Sequence, residues 1–308
     1  MPRFSVIIPA YNAARTVEAT IRSVLAQTAA DLELIVVDDG STDGTRELVA
    51  AIAGTDPRVE LIAQPNQGVA GARNRGVERA AAAYVSFLDN DDLWMPRYLE
   101  TAGAALDAEP GAAFAYCDAW SLVHASSRIR RRTELEARPG PEPGSSWEQV
   151  FKTLATRNFV MSSATVRAAL LREVGGFSRE VTGTDDYDLW FRLMLAGHTA
   201  VRAGTAPLLL QRDRDDSQSK DDALMLNGLR LVLERVLADE RTPVAARPVL
   251  EHRVHDLERS AAPGRLEQIS NMMRRRGAKL RERLSPRTAY AETPPEVAAA
   301  FPELARGD

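Results

Sequence analysis

Short apolar runs alternate with helical patterns along the first 120 residues of the chain. The apolar runs occupy residues 4–9, 32–39, 59–63, 84–89 and 112–118. Between the first two runs, Val17, Ile21 and Val24 recur at helical spacing, and residues 76–83 and 97–106 predict further helices. This repeated alternation of strand and helix predicts an α/β fold with a mainly parallel sheet that helices cover on both faces.

Polar residues follow the predicted strands at the ends where the chain leaves the sheet. The first four strands end in "PAYN", "DDGSTDGT", "QPNQGVAGARNRG" and "LDNDD". In open parallel sheets, ligands bind beyond the carboxyl ends of the strands. We therefore expect these four segments to line one shared cleft.

The composition sets bounds on this picture. A chain of 308 residues can bury one substantial core, or one core with a smaller appended region. The 39 Lys and Arg residues nearly balance the 43 Asp and Glu residues, which argues against a nucleic-acid partner. Cys117 has no second cysteine to pair with, the opening residues lack a signal-peptide pattern, and no run reaches the roughly 18 apolar residues of a membrane span. We therefore expect a cytoplasmic protein.

Two common nucleotide-binding motifs are absent from the glycine-rich segment. Its glycines at positions 68, 71 and 76 match neither the dinucleotide fingerprint nor the phosphate loop. No two histidines have metal-site spacing; they are His124, His198, His252 and His255. A kinase, a dehydrogenase and a histidine-based metal enzyme are therefore disfavoured.

Five motifs together carry a family resemblance. They are "SVIIPAYN", "LELIVVDDGSTDGT", "QPNQGVAGARNRG", "FLDNDD" and "GTDDYDLWFRL", in this order. The sequence resembles the family-2 inverting glycosyltransferases of the GT-A fold over about residues 3–215. The resemblance implies a Rossmann-like catalytic domain over residues 1–220, with a nucleotide-binding half of about 1–120 and an acceptor half of about 121–220. We expect residues 221–308 to form a helical C-terminal extension with a poorly ordered tail.

The resemblance also implies a reaction. An inverting glycosyltransferase moves a sugar from a nucleotide-diphosphate sugar, with a UDP-sugar as the default donor, to an acceptor hydroxyl. The acceptor stays open among a glycan, a lipid-linked molecule and a small molecule. Two alternatives are a catalytically silent nucleotide-sugar binding protein of the same fold and a sugar-1-phosphate nucleotidyltransferase, although "PAYNAART" lacks the glycine-rich loop of the latter.

Three acids stand close together after the fourth strand, at Asp89, Asp91 and Asp92. Crowded carboxylates repel one another, so such a cluster usually holds a cation. By resemblance, Asp91 ligates Mg²⁺ or Mn²⁺ through the donor diphosphate, Asp89 faces the ribose or sugar and shares in metal binding, and Asp92 supports the site. The alternative is an acidic start to the next helix, where acids complement the helix dipole.

The resemblance places the nucleotide among residues that follow the first three strands. Pro9 and Tyr11 would line the base, with Tyr11 able to stack on its ring. Asp39 would accept the imide hydrogen of uracil, and Arg73 would lie near the base or the diphosphate. Because adjacent residues of a strand point in opposite directions, we expect only one of Asp38 and Asp39 to contact the base. The alternative for both aspartates is to cap the following helix.

Residues 183–197 predict a helix that Thr184 caps and Gly197 ends. By resemblance, Asp186 aligns with the catalytic base, and Asp185 stands where the family usually has glutamate. A carboxylate in the first turn of a helix is favoured in its ionised form, which is the form that accepts a proton.

Two more residues of this helix are candidates on the acceptor side. Asp188 is a rival for the base, with a surface ion pair to Arg192 as the alternative. Trp190 lies about one turn after Asp186. It either flanks the acceptor sugar or packs in the core.

One position departs from the family. Many relatives have a histidine after the base helix that completes the metal shell, and this sequence has Arg214 there. Arginine does not ligate cations. Either water completes the shell, or Arg212 and Arg214 bind the diphosphate directly.

A basic amphipathic stripe lies in the C-terminal extension, over about residues 265–284. Such a helix either rests on an anionic membrane, at the inner face of the cell membrane, or packs on the catalytic domain or on a second subunit. Residues 121–146 combine a basic cluster with prolines and glycines. We expect them either to border the acceptor or to form a flexible surface loop.

Overall fold

The computed structural model describes residues 1–123, 128–130, 133–214, 217–261, 290–291, 293–302 and 304. Up to residue 108, its elements are β1 (Phe4–Ala10), α1 (Val17–Leu25), β2 (Leu32–Asp38), α2 (Thr45–Ala53), β3 (Val59–Ala63), α3 (Gly68–Arg79), β4 (Tyr84–Phe87), β5 (Leu93–Trp94) and α4 (Tyr98–Ala108). Beyond that residue they are β6 (Ala112–Val123), β7 (Arg128–Arg130), α5 (Glu134–Ala137), α6 (Trp147–Thr156), β8 (Ala164–Arg167), α7 (Ala168–Glu173), α8 (Asp185–Leu195), β9 (Thr199–Asp213), α9 (Asp222–Ala238), α10 (Arg247–Ala261), β10 (Tyr290–Ala291) and α11 (Pro295–Ala300).

The described strands pair into one ten-stranded sheet. Strands β3, β2, β1 and β4 lie side by side and run parallel. Strand β8 is antiparallel to both β4 and β6, and β9 runs parallel to β6 and antiparallel to β5. The predicted α/β fold with a mainly parallel sheet is therefore confirmed, with β8 inserted between its two parallel groups.

Strands β1, β2 and β4 are largely apolar and buried because helices cover both faces of the sheet. All seven residues of β1 are buried. Ile7 belongs to the apolar layer that α3 and α8 complete, whereas Val6 and Ile8 belong to the opposite layer with α1 and α4. Burying each of these side chains contributes about 1.5–3 kcal/mol relative to leaving it exposed. The strand is therefore held from both sides, which fixes the position of the residues that follow it.

The glycine-rich segment differs from its prediction. The helix expected at residues 76–83 starts eight residues earlier, at Gly68, so "GVAGARNRG" is helical. Gly68 has a φ of 77°, which permits the turn into α3. A Cβ atom on Gly76 would lie 2.5 Å from Cγ2 of Ile7, so this glycine lets α3 approach β1 closely. Arg73 therefore stands on a helix that is packed against the sheet.

Two helices of the C-terminal extension pack on the catalytic region. Helix α9 contacts α8, and α10 contacts both α9 and α6. A Cβ atom on Gly228 of α9 would lie 2.3 Å from the carbonyl oxygen of Thr182, just before α8. In the described part of the tail, Val297 and Phe301 are buried. The extension thus supports the segment that leads into α8.

Two regions for which the sequence made predictions lie partly or wholly outside the described residues. The basic stripe at residues 265–284 lies outside the described residues, as do residues 124–127 and 131–132 of the expected acceptor-side segment. Within the described ranges, none of the helices combines the length and the apolar character that crossing a bilayer requires.

Candidate active site

The polar segments that follow the parallel strands adjoin at the carboxyl edge of the sheet. Asn90, after β4, donates from Nδ2 to the carbonyl oxygen of Pro9 in β1 at 2.9 Å. The backbone nitrogen of Gln64, after β3, donates to the carbonyl oxygen of Asp38 in β2 at 3.0 Å. Because β1 and β2 are neighbours in the sheet, the four segments form one continuous rim.

The loop after β1 carries an exposed aromatic residue. Tyr11 is 51% exposed. The next residue, Asn12, has a left-handed φ of 48°, a region that asparagine tolerates better than most residues. Its Oδ1 accepts from the backbone nitrogen of Thr42 at 2.9 Å, and its own nitrogen donates to Oγ of Ser41 at 3.0 Å. The backbone beside Tyr11 is therefore fixed, while the ring stays open to solvent.

Asp38 and Asp39 bind different partners, as the extended backbone requires. Asp38 Oδ2 accepts from Nε of Arg46 at 2.8 Å. Asp39 Oδ1 accepts from Nε2 of Gln64 at 2.7 Å and from the backbone nitrogen of Gln67 at 2.9 Å. Both carboxylates are buried. Asp38 is thus bound by α2, whereas Asp39 is oriented by the segment after β3.

Asp89 is anchored through both carboxylate oxygens. Strand β4 ends at Phe87, two residues before its prediction, and the turn that follows carries the three acids. Asp89 Oδ1 accepts from Nη2 of Arg73 at 2.7 Å, and its Oδ2 accepts from Oγ of Ser162 at 2.6 Å. These two donors hold the turn in place.

Asp91 and Asp92 carry charge that their surroundings compensate poorly. Asp92 is buried, and its Oδ1 accepts from the backbone nitrogen of Arg212 at 2.8 Å. Burial, then repulsion from Asp91 and Asp89, raises the pKa of Asp92 well above its ordinary value. Burial and repulsion from Asp89 raise the pKa of Asp91 to about 6. Nη1 of Arg214 lies 3.5 Å from Oδ2 of Asp91 and offsets part of this charge.

The predicted base lies at the start of α8, where the sequence placed it. Asp186 is half-buried, and its pKa is raised to about 7. Burial is the largest cause, repulsion from Asp185 adds to it, and attraction to Arg73 opposes it. Thr184 occupies the N-cap position, but among the described residues its Oγ1 has no hydrogen-bond partner. Burial therefore outweighs the helix dipole, which was expected to favour the ionised form.

Arg73 connects the turn after β4 with the start of α8. The side chain is buried, and its Nη1 donates to Oδ2 of Asp185 at 2.7 Å while Nη2 binds Asp89. The guanidinium lies 5.2 Å from the centroid of the Phe177 ring. The sequence predicted a contact with the base or the diphosphate. Both terminal nitrogens bind carboxylates, because α3 is helical through this residue and faces the acids. The nucleotide contact of Arg73 stays a prediction.

Two candidates on the acceptor side, Asp188 and Trp190, are buried. Asp188 forms the predicted pair, with Nε of Arg192 donating to its Oδ2 at 2.7 Å, but it is buried rather than on the surface. Trp190 is fully buried and stacks on Phe114, with the ring centroids 4.7 Å apart. Trp190 therefore packs in the core, which was one of its two predicted places, because the apolar face of α8 is wide enough to include this position.

Residues 5–167, just over half of the 308-residue chain, match Glycosyl transferase family 2. The chain belongs to this family. The predicted family and the glycosyltransferase class are confirmed. The matched stretch includes Asp39, Arg73 and Asp91, and it ends before α8.

A relative in this family is the chondroitin synthase of Pasteurella multocida (strain Pm70), which is 32% identical over 198 residues. The similar stretch covers 64% of this chain and 19% of that protein. A hyaluronan synthase of Pasteurella multocida matches with the same identity and coverage. The chain therefore spans about a fifth of the length of these relatives.

Solved structures of glycosyltransferases share the fold. S. aureus TarS 1–349 in complex with UDP-GlcNAc aligns with a TM-score of 0.65 at 19% identity, over 85% of this chain and 73% of that chain. The mannosyltransferase PcManGT from Pyrobaculum calidifontis, in complex with GDP-Man and Mn²⁺, aligns with a TM-score of 0.61 at 22% identity, over 91% and 80% of the two chains. At these identities, the likeness confirms the GT-A fold and nothing finer.

The acids of this family-2 fold suit a divalent cation that is shared with a ligand. Asp91 offers carboxylate oxygens, which Mg²⁺ and Mn²⁺ prefer, and its raised pKa reflects charge that a cation would offset. In the part of the chain that the structure describes, no group of three or more His, Cys, Asp or Glu side chains is arranged to hold a metal ion. Mg²⁺ commonly binds proteins through one or two carboxylates together with substrate phosphates and water.

Three residues of this site were missed by sequence reasoning: Ser162, Gln64 and Asn90. Each forms its contact with a residue far away in the chain, across separations of 73, 25 and 81 residues. A local pattern does not report such partners. For Ser162 one signal was available, because a pair of serines interrupts the apolar segment "FVMSSATV".

Proposed function

We propose that this chain is an inverting glycosyltransferase that moves a sugar from a UDP-sugar to an acceptor hydroxyl by direct displacement, with Asp186 as the general base. The observation that supports this most strongly is the placement of Asp186 beside the acidic turn after β4, to which Arg73 connects the start of α8. Family membership favours sugar transfer over the nucleotidyltransferase alternative.

Asp186 has the properties that a general base needs. Such a base works best when its pKa lies near the working pH, and burial with repulsion from Asp185 raises the pKa of Asp186 to about 7. The backbone nitrogen of Tyr187 donates to Oδ1 of Asp186 at 2.7 Å and orients the carboxylate. Asp185 and Asp188 are each bound by an arginine at 2.7 Å. Asp186 is therefore the carboxylate of α8 that we assign to take the acceptor proton.

The nucleotide would bind along the rim formed by β1, β2 and β3. Tyr11 offers an exposed ring for stacking on the base, and Pro9 is buried near the end of β1, just before this loop. Asp39 has one oxygen bound by Gln64 and Gln67, so its other oxygen is the group that we assign to the imide hydrogen of uracil. The UDP-GlcNAc complex of TarS supports a uridine donor, although PcManGT shows that the fold also accepts GDP-Man.

The diphosphate would lie over the turn after β4. A divalent cation, when bound, neutralises the charge that develops on the diphosphate leaving group. Asp91 is the residue that would hold it, because Asp89 already uses both oxygens for Arg73 and Ser162. Arg214, 3.5 Å from Asp91, is the neighbouring group that would contact the diphosphate directly. Arg212 supports the turn through its backbone bond to Asp92.

The acceptor would approach from the side of α8. With Asp186 on that side and the diphosphate on the other, the hydroxyl attacks opposite the leaving group, which inverts the anomeric centre. The chondroitin and hyaluronan synthases among the relatives support a glycan acceptor. Asp186 removes the hydroxyl proton as the new bond to the anomeric carbon forms and the bond to the diphosphate breaks, and Arg73 offsets the negative charge of Asp185 and Asp89.

Replacing the base is the direct test. Asp186→Asn keeps the shape of the side chain but removes its ability to accept a proton, so release of UDP from UDP-GlcNAc should fall by at least about 100-fold. Calorimetric titration with UDP should show affinity within about threefold of the wild type, because Asp186 is assigned no nucleotide contact. Asp222→Asn, an exposed acid in the first turn of α9, is the matched control and should retain turnover.

The outcomes separate the alternatives. Unchanged turnover in Asp186→Asn would rule out this base. UDP binding by a wild type that never releases UDP from any tested donor would favour the silent binding protein. UDP binding that is lost in EDTA and restored by Mn²⁺ supports Asp91 as a ligand, whereas binding that ignores EDTA shifts the diphosphate contacts to Arg212 and Arg214.

A further inference from the structure

The guanidinium of Arg73 lies between the two acidic groups that the proposed reaction uses. We propose that Arg73 is a positioning residue that fixes the base helix relative to the donor-side turn by holding Asp185 and Asp89 at the same time. This inference rests on the proposed function. It assigns Asp185 the task of an anchor for α8 and removes it from the candidates for the base.

The geometry of this bridge depends on the planar guanidinium. One terminal nitrogen binds Asp185 and the other binds Asp89, both at 2.7 Å. The side chains of Arg73 and Asp185 are each 5% exposed, so water does not screen the pair. A lysine carries the same charge but has one ammonium group on a flexible stem, and it does not reproduce two bonds in fixed directions.

A second contact from the neighbouring residue of α3 reinforces the bridge. Asn74 donates from Nδ2 to the carbonyl oxygen of Phe177 at 2.8 Å and accepts from the nitrogen of Phe177 at 2.8 Å. The ring of Phe177 in turn lies below the guanidinium of Arg73. Helix α3 thus holds both ends of the segment between Phe177 and Asp185.

The start of α8 needs such an external anchor. Its N-cap residue, Thr184, makes no side-chain capping bond. A helix whose first turn is not capped by its own sequence depends on tertiary contacts for its exact direction at that end. The bond from Arg73 to Asp185 is a contact of this kind, one residue before Asp186.

The same contacts set the electrostatic surroundings of Asp186. The charged groups that act on it are Asp185 and Asp89, which repel its negative charge, and Arg73, which attracts it. Removing Arg73 should therefore raise the pKa of Asp186, and removing the charge of Asp185 should lower it. If Arg73 and Asp185 merely stabilised the fold, their substitution would not shift the pKa of Asp186 in opposite directions.

The experiment compares matched substitutions on two ion pairs of the same helix. Arg73→Lys tests the bridge, and Arg192→Lys tests the pair with Asp188. In that second pair the bond is also 2.7 Å long and Asp188 is also buried, while Arg192 is partly exposed. With the donor that the wild type turns over fastest, Arg73→Lys should lower kcat by about 10- to 100-fold and change the KM for the donor by less than about threefold, because misplacing a base costs rate rather than binding. Arg192→Lys should lower the melting temperature but keep kcat within about threefold of the wild type.

The pH dependence supplies the second readout. In Asp185→Asn, the acid limb of the kcat/KM profile should move to lower pH by about one unit, and in Arg73→Met it should move to higher pH by a similar amount. Arg73→Lys keeps the charge, so its acid limb should stay within about half a unit of the wild type. Because Arg73→Met leaves two carboxylates without their partner and endangers folding, Arg73→Lys and Asp185→Asn carry the test.

Each outcome decides a different point. Equal kcat values for Arg73→Lys and Arg192→Lys, or an acid limb that does not move in Asp185→Asn, would overturn the bridge while the wild type still transfers sugar. A wild type that releases neither UDP from UDP-GlcNAc nor GDP from GDP-mannose would overturn the proposed function, and this inference with it.

Discussion

At the scale of single residues, burial decides the chemistry of Asp186. The rise of its pKa from 3.8 to about 7 corresponds to about 4 kcal/mol against the charged form. A helix dipole contributes roughly 0.3–1 kcal/mol at an exposed first turn. Burial outweighs the dipole, so the position of Asp186 in the first turn of α8 does not keep its carboxylate ionised at low pH.

This balance predicts an acid limb near neutrality. Only the ionised form of Asp186 accepts a proton, so kcat/KM should fall about tenfold per pH unit below about pH 7 and level off above it. The measurement is the kcat/KM profile between about pH 5 and 9. An acid limb below about pH 5 would show that the base has an ordinary aspartate pKa, and it would contradict the raised pKa of the half-buried Asp186.

The sequence predicted candidate site residues at this scale but not their partners. Asp39, Asp91 and Asp186 were chosen because each stands at a fixed place in a motif, and their roles stay predictions. The partners of Arg73 were not found, since the contact between Arg73 and Asp185 spans 112 residues and no local pattern encodes it. Trp190 had two predicted places, and only the packing of α8 against Phe114 decides between them.

At the scale of elements, the start of α3 was mispredicted because glycines weaken the helical pattern. Glycine lowers helix propensity by about 1 kcal/mol relative to alanine, so "GVAGARNRG" suggests a loop. Its glycines serve close packing against β1 and the turn into the helix. By contrast, the strands β1, β2 and β3 were found to within a residue or so. Strands β1 and β2 are largely apolar because they are covered on both faces, and β3 at the edge of the sheet keeps a short apolar run.

Gly76 offers a test of this explanation. Gly76→Ala raises helix propensity, yet its Cβ atom would lie 2.5 Å from Cγ2 of Ile7, so we expect a loss of about 1–3 kcal/mol in the free energy of unfolding. Urea denaturation followed by circular dichroism measures this. Gly54→Ala is the control, because the nearest atom to its Cβ lies at 3.5 Å and the substitution should be neutral or slightly stabilising. A Gly76→Ala protein as stable as the wild type would contradict the close approach of α3 to β1.

At the scale of the whole molecule, the acidic site lowers stability as pH rises. The folded protein holds protons on Asp186 up to about pH 7 and on Asp91 up to about pH 6, whereas the unfolded chain releases them near pH 4. Between about pH 4 and pH 7 the folded state therefore binds more protons than the unfolded chain does. The stability that the protonated forms contribute is fully present below about pH 4, and it is lost as the pH rises to about 7. The ionised site therefore lowers the free energy of unfolding at the neutral pH at which Asp186 would act as a base.

Asp186→Asn should relieve part of this strain. The amide carries no charge, so the melting temperature of the variant should exceed that of the wild type by at least about 2 °C at pH 8 and by less at pH 5. Differential scanning calorimetry at the two pH values, on protein without ligand, measures the difference. Melting temperatures that differ by the same amount at both pH values would show that Asp186 does not ionise with a raised pKa.

The close approach of Gly228 to Thr182 shows that residues outside the five motifs support the segment before α8. A fragment that stopped near residue 220 would keep all five motifs, and a motif search would find nothing missing from it. That fragment would lack α9, which packs against α8 and against the segment that leads into Asp186. A part of the chain that carries none of the five motifs thus packs against the segment that leads into the candidate base.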